Sequence, residues 1–346
     1  MNAESTGQAP PWNQLRRHDP SGTADVLAAF PRQCREGLEL GTRAPVDRVE
    51  GFRRVVVLGM GGSGIAGALL RSVLPVEVVP VRDYSLPPWV GEESLVVSLS
   101  YSGDTEETLA AFEDARGRTR RLLAVTSGGK LGRVCAREGI PWIEIPPGYQ
   151  PRAALGYLLF PLLGLFHRLG MVPDFGEALA ALDRLASDLA PGEDENESQA
   201  LARALLGRVP LVYGAGATGP VAFRWKTQIN ENAKQPAFWA ELPELCHNEV
   251  VGYDLSSRLL SQGMVVFLRF QGDHPRVSKR VEILHDLLSG RGIAWLDVQG
   301  RGTGSLANLL SLLYLGDWTS YYLALLNGVD PAPVAIIGEL KRRLAE

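Results

Sequence analysis

Two short loops carry residue types suited to a phosphorylated ligand. The first, Gly59-Met-Gly61-Gly62-Ser63-Gly64, follows a β-branched run and matches G-x-G-x-x-G, and Gly214-Ala-Gly216-Ala-Thr-Gly219 matches it again. Glycine is wanted wherever a backbone turns tightly and lets a ligand approach a helix N-terminus. The pattern therefore suits a dinucleotide as well as a simple phosphate, with Asp83 as the ribose-binding acid in the dinucleotide case. The second loop, Ser100-Tyr-Ser102-Gly-Asp104-Thr105, places three hydroxyls at i, i+2 and i+5 around a glycine. Hydroxyl donors, free amides and the positive end of a helix dipole there converge on one small dianion. A phosphate monoester needs such a cluster and a dinucleotide pyrophosphate does not. Helix capping by Ser102 or Thr105 is the other use of the same residues. The corresponding stretch of the second half, Arg269-Phe-Gln-Gly-Asp273, lacks these hydroxyls, so only the first half is expected to hold phosphate.

The elements that position these loops follow α/β grammar, short β-branched runs alternating with helix-length segments. Strands are expected at Arg54 to Leu58, Val76 to Val81, Leu95 to Ser100, Leu122 to Thr126 and Trp142 to Ile145, with helices from about Ile65 to Leu74 and from Thr105. Glu106 and Glu107 suit the first turn of the latter helix. This half is read as a five-stranded, mostly parallel sheet. The stretch Ala153 to Leu189 has a helical pattern, and Pro191-Gly-Glu-Asp-Glu-Asn-Glu197 breaks it as a solvated linker. Beyond it the grammar restarts. Pro210-Leu-Val-Tyr-Gly-Ala-Gly216 occupies the place of Val55-Val-Val-Leu-Gly-Met-Gly61, and Met264 to Phe270, a helix from Pro275 to Ser289 and Ala294 to Val298 continue the copy. Two Rossmann-like subdomains are expected, each a five-stranded, mostly parallel sheet flanked by helices, at 43–190 and 198–346 after a helical lead-in at 1–42.

The bulk composition narrows the function classes. A chain of 346 residues exceeds what one core usually supports, and 21% charged against 45% hydrophobic residues is the balance of a soluble protein. The formal net charge of −4 offers no basic surface for a nucleic-acid backbone. No apolar run reaches the ~18 residues of a membrane span, and residues Met1 to Trp12 lack the apolar segment of a signal peptide. Cys34, Cys135 and Cys246 are odd in number and far apart, which fits neither a disulfide framework nor a zinc site and points to a reducing cytoplasm.

The pair Gly-Gly-Ser-Gly and Ser-Tyr-Ser-Gly-Asp-Thr-Glu-Glu-Thr resembles the sugar-isomerase (SIS) domain family. More narrowly, Asn230-Glu-Asn-Ala-Lys234 and Cys246-His-Asn-Glu-Val250 resemble the bifunctional phosphoglucose/phosphomannose isomerases, with the likeness running from about Arg43 onward. The resemblance implies an aldose-ketose isomerase acting on glucose 6-phosphate, mannose 6-phosphate and fructose 6-phosphate, without cofactor or metal, as a homodimer. It also implies roles. Gly62, Ser63, Ser100, Ser102 and Thr105 match the phosphate binders, Glu231 the proton-transfer base and His247 the ring-opening residue, reaching the neighbouring subunit's pocket. Arg152 and Lys341 match the remaining active-site cations.

The chemistry suits those residues. An aldose becomes a ketose when a carbon acid beside a carbonyl loses a proton and regains it one carbon away, a task for one carboxylate. A histidine with a reference pKa near ~6.5 can shuttle the ring-opening proton. The other histidines, His18, His167, His274 and His285, have no partner evident in the sequence. Arg152 offers a stiff, permanently charged fork for negative charge developing on an enediolate, whereas Lys341, in Lys-Arg-Arg at a helix end, equally suits a helix dipole. No H-x-x-x-H-like ligand spacing occurs. Phe238-Trp-Ala-Glu-Leu-Pro-Glu-Leu245 reads as interface or as buried core. Two other classes stay open: an SIS-type sugar-phosphate sensor, which would need a DNA-binding domain of about 60 residues where only a short acidic leader stands, and an NAD(P)-dependent dehydrogenase.

Overall fold

The computed structural model describes residues 11–44, 49–172, 175–192, 195–254, 261–344 and 346. Short helices α1 (Trp12–Leu15) and α2 (Thr23–Ala28) lead into α3 (Phe30–Thr42). The first sheet then unfolds in order: β1 (Arg54–Leu58), α4 (Gly61–Leu70), β2 (Glu77–Val81), β3 (Ser94–Leu99), α5 (Glu106–Arg116), β4 (Leu122–Thr126), α6 (Gly129–Glu138) and β5 (Trp142–Glu144). Its strand order is β2-β1-β3-β4-β5, all parallel. Helices α7 (Leu155–Arg168), α8 (Gly176–Leu189) and α9 (Glu197–Leu205) follow, so the stretch read as one helical run is two helices and a break. The acidic linker falls partly outside the described residues. On its far side Asn196 caps α9, its side chain accepting from the Gln199 amide at 3.0 Å.

The second sheet contains β6 (Val209–Ala215), β7 (Phe238–Leu242), β8 (Gly263–Arg269) and β9 (Ala294–Gln299), in the order β7-β6-β8-β9 and again parallel. Between them lie α10 (Gly219–Ala233) and α11 (Pro275–Ser289), and after β9 come α12 (Gly304–Leu326) and α13 (Ala335–Leu344). This corrects the expectation of five strands in both halves: among the described residues the second sheet has four. The chain that leaves β9 enters α12, which is apolar on all sides and buried from Ala307 to Leu325, so a core helix follows β9.

Alternation along the strands assigns the layers. Val55 and Val57 face an inner core shared with Val212, Val221, Trp225 and Trp318 of the second half, whereas Val56 and Leu58 face outward onto Phe112 and Leu131. Tyr213, Val265 and Phe267 likewise meet Val281, Leu284 and Leu288 on the outer side of the second sheet. The two sheets are thus joined through α3, α4, α7, α10 and α12, and a side chain on α10 can reach loops of the first half. The Phe238–Leu245 stretch is neither simply core nor simply surface. As edge strand β7 and the turn beyond, it exposes Phe238 (57%) and Trp239 (37%) but buries Leu242 and Leu245. Among the described residues no helix is long and apolar enough to cross a membrane.

Candidate active site

β1 and β3 are adjacent parallel strands, so the two loops singled out in the sequence open side by side at their C-terminal ends. In the first, Gly61 adopts φ +49° and opens α4, and Ser63 is buried in its first turn. A Cβ on Gly62 would lie 2.7 Å from the Pro151 carbonyl oxygen and 2.8 Å from Arg152 Cα. Glycine is therefore required at Gly62 for the turn Pro151–Ala153, which carries Arg152, to sit against the start of α4.

In the second loop the hydroxyls divide their tasks. Ser100 is fully buried; its Oγ accepts from the Gly103 amide at 3.1 Å and lies 2.9 Å from Thr105 Oγ1. Ser102 is exposed, with its Oγ accepting from the Asp104 amide at 3.2 Å, and Thr105 is half-buried at the N-cap of α5. Ser100 thus shapes the turn, Thr105 is tied to it, and Ser102 is the exposed hydroxyl of the three. Gly103 holds φ +72° with the Gly128 carbonyl oxygen occupying the space a Cβ would need. Alanine there combines an unfavourable backbone region with a clash against backbone, so Gly103→Ala is expected to raise KM for a phosphorylated substrate by about tenfold or more. Steady-state kinetics check this, and an unchanged KM would mean that the loop does not grip the substrate.

Arg152 and Glu231 meet where the halves join. Glu231 stands in the last turn of α10, a quarter exposed, with Oε2 3.5 Å from Arg152 Nη1. Arg152 is buried, donating from Nε to Asn232 Oδ1 (2.8 Å) and from Nη2 to the carbonyls of Pro331 (2.9 Å) and Ala332 (2.7 Å). Burial lowers its pKa; Glu231 opposes that and Arg224 adds to it. Lys234 ends α10 at φ +55° and donates from Nζ to the carbonyls of Glu231 (2.6 Å) and Pro331 (2.8 Å). Desolvation and then Arg152 lower its pKa. A cavity of about 640 Å³ opens beside Glu231, walled by Asn230, Lys234, Pro333, Ile336 and Ile337.

The other two predicted residues lie apart. His247 ends the turn Glu244–His247 beyond the C-terminal end of β7 and is exposed, with no hydrogen-bond partner among the described residues. Helix α10 runs back along the sheet, so Glu231 lies at the opposite end of the strands; a helix of this length spans about 20 Å. Lys341 is exposed in the last turn of α13, a helix with no buried residue whose first turn borders the Glu231 cavity. Its neighbours Arg342 and Arg343 pair with Glu339. Two further histidines take structural partners: His285 stacks on Trp295 at 3.6 Å and bonds Asp297, and His167 bonds the Val172 carbonyl.

The family described as "Bacterial phospho-glucose isomerase C-terminal SIS domain" matches residues 194–344. A bifunctional phosphoglucose/phosphomannose isomerase of Caldicellulosiruptor bescii is 40% identical over 329 residues, covering 92% of this chain and 97% of that one. The chain belongs to the bifunctional phosphoglucose/phosphomannose isomerase family. Among solved structures, a glucose-6-phosphate isomerase like protein from Thermus thermophilus superposes with TM-score 0.64 at 25% identity, covering 94% of this chain and 97% of that one. The hypothetical protein TT0462 from the same organism superposes with TM-score 0.71 at 17% identity over 96% of this chain and 94% of that one, a likeness of fold.

Within this isomerase family's architecture, sequence reasoning overlooks the groups around the arginine. Asn232 and Lys234 lie inside the Asn230-to-Lys234 motif, where the resemblance assigns a role to Glu231 alone. The Asp330-Pro-Ala-Pro333 turn that takes two donors from Arg152 has a visible signal, prolines flanking an alanine, which marks a rigid turn with exposed carbonyls. Among the described residues no group of three or more His, Cys, Asp or Glu is placed to hold a metal ion.

Proposed function

We propose that this chain interconverts glucose 6-phosphate and mannose 6-phosphate with fructose 6-phosphate through a cis-enediolate. The reading rests above all on a buried arginine paired with a partly exposed carboxylate at a cavity, on the turn that packs against the glycine-rich loop. The phosphate sits at the C-terminal ends of β1 and β3, held by Ser102, Thr105, Ser63 and the amides around Gly62. Glu231 removes the proton from C2 of the aldose and returns it to C1, and Arg152 Nη1 faces the charge that develops on the oxygens. Glucose and mannose 6-phosphates differ only at C2 and lose that stereocentre in the planar enediolate, so one base serves both when rotation about the C2–C3 bond presents either face of C2 to it.

The working unit is a homodimer in which His247 of a second copy opens the sugar ring. Two observations favour this: His247 and Glu231 stand at opposite ends of one sheet, and among the described residues α13 exposes Ile336 (82%), Leu340 and Leu344. Lys341, on the same helix, joins the pocket when that helix is covered. The units are 43–190 and 198–346 after the lead-in 1–42. Its three cysteines are free thiols, two of them buried, in keeping with the cytoplasm. A coupled assay on purified protein with each aldose phosphate tests the reading, and turnover of both is expected, unaltered by a chelator. Turnover of glucose 6-phosphate alone would remove the dual specificity, turnover of neither would leave a sugar-phosphate binder, and nicotinamide-dependent hydride transfer would restore the dehydrogenase.

A further inference from the structure

Behind Arg152 lies a buried polar network that packing alone does not call for. Arg224, Gln228 and Asn232 fall at i, i+4 and i+8 on α10, one stripe, and all three are at most 3% exposed. They face Asp317 and Ser320 on the otherwise apolar α12. Arg224 grips Asp317 with two bonds, Nε to Oδ1 at 2.9 Å and Nη2 to Oδ2 at 2.6 Å, and Gln228 Nε2 donates to Oδ1 at 3.0 Å. Arg224 Nη2 also donates to the main-chain carbonyl of Arg152 at 2.9 Å. Asn232 accepts from Arg152 Nε and donates from Nδ2 to Ser320 Oγ (2.9 Å), which donates to the Asp317 carbonyl (2.7 Å). A buried ion pair gains little net stability over apolar side chains of the same size, so its presence in an apolar helix interface asks for another reason.

We propose that Asn232, backed by Ser320 and the Arg224–Asp317 pair, is a positioning residue that holds Arg152 by its main chain and its guanidinium, so that only Nη1 is left to face Glu231 and the reacting oxygens. Of the five N–H donors of the guanidinium, Nε is spent on Asn232 and both on Nη2 are spent on the 331–332 carbonyls. Among the described residues the two on Nη1 have no partner but the carboxylate at 3.5 Å. A fork fixed in this way stabilises developing charge without reorganising during the reaction. The amide is also oriented: Oδ1 meets a donor and Nδ2 an acceptor, so a carboxylate at this position keeps the first contact, loses the second and neutralises the arginine.

The inference rests on the isomerase reading, and the test separates the two. Asn232→Asp, Asn232→Ala and Ser320→Ala are compared with the unaltered protein for kcat, KM for fructose 6-phosphate, thermal unfolding, and affinity for 5-phosphoarabinonate, whose carboxylate stands where the enediolate carries its charge. Displacing the fork should lower kcat on the order of 10- to 100-fold in both Asn232 variants with KM within about threefold, because the phosphate is held elsewhere. Affinity for 5-phosphoarabinonate should fall in step with kcat/KM, with Asn232→Asp unfolding near the unaltered protein. Should neither Asn232 variant fold, Ser320→Ala decides, with about fivefold lower kcat at constant KM expected from one lost hydrogen bond. Folded variants with undiminished kcat overturn the inference, as does a loss that tracks only a lowered unfolding temperature. If the unaltered protein isomerises neither sugar phosphate, the isomerase reading has failed and the inference falls with it.

Discussion

Glu231→Gln is expected to lower kcat for all three sugar phosphates about 10³-fold while KM changes by less than about threefold. The substitution keeps the size of the side chain and its place in the last turn of α10 but removes the carboxylate beside the cavity that can take a proton from carbon. Ground-state binding is expected to survive because the proposed phosphate site, the hydroxyl-bearing loop after β3 and the start of α4, belongs to the other half of the chain. Exchange of substrate hydrogen with solvent deuterium, followed by NMR, separates the chemical step from ring opening and should vanish with the turnover. A variant that keeps kcat within tenfold would move the base to another residue, Lys234 being the nearest alternative because burial lowers its pKa.

Nearly as large an effect is expected from mixing two inactive variants. If each pocket combines Glu231 of one chain with His247 of the other, a dimer of Glu231→Gln with His247→Ala has one pocket carrying both changes and one carrying neither. Random reassortment makes about half the dimers mixed, each with one intact site of two, so about a quarter of unaltered activity should return from parents about 10²- to 10³-fold below it. Co-expression with two affinity tags isolates the mixed dimer, and activity there at the level of the parents would place both residues in one chain's pocket. That outcome would require α10 and the turn after β7 to rearrange, since the observed sheet holds them at opposite ends.

Much of this is legible without any coordinates. Strand and helix periods, the glycine loops and the hydroxyl cluster are local signals, set by side-chain alternation and turn chemistry within a few residues, and they locate β1, β3, α5 and the hydroxyl-bearing loop to within a few residues. Boundaries drift where a glycine-rich turn runs straight into a helix, as at Gly61, because the residues that open α4 also look like a loop. The fifth strand expected in the second half rests only on the likeness of the two copies, and that likeness ends after β9, where the chain enters the 23-residue apolar α12.

What the chain's own letters determined, then, is which residues are chemically competent and which turns present them, together with the family to which those motifs belong. Only the tertiary structure decided how they are combined. Arg152 takes its partners from residues 80 and 180 positions away, and Gly62 is needed for a turn some 90 residues further along. Such contacts leave no periodic trace in the sequence, because they are fixed by how two sheets and the helices between them close over a common core.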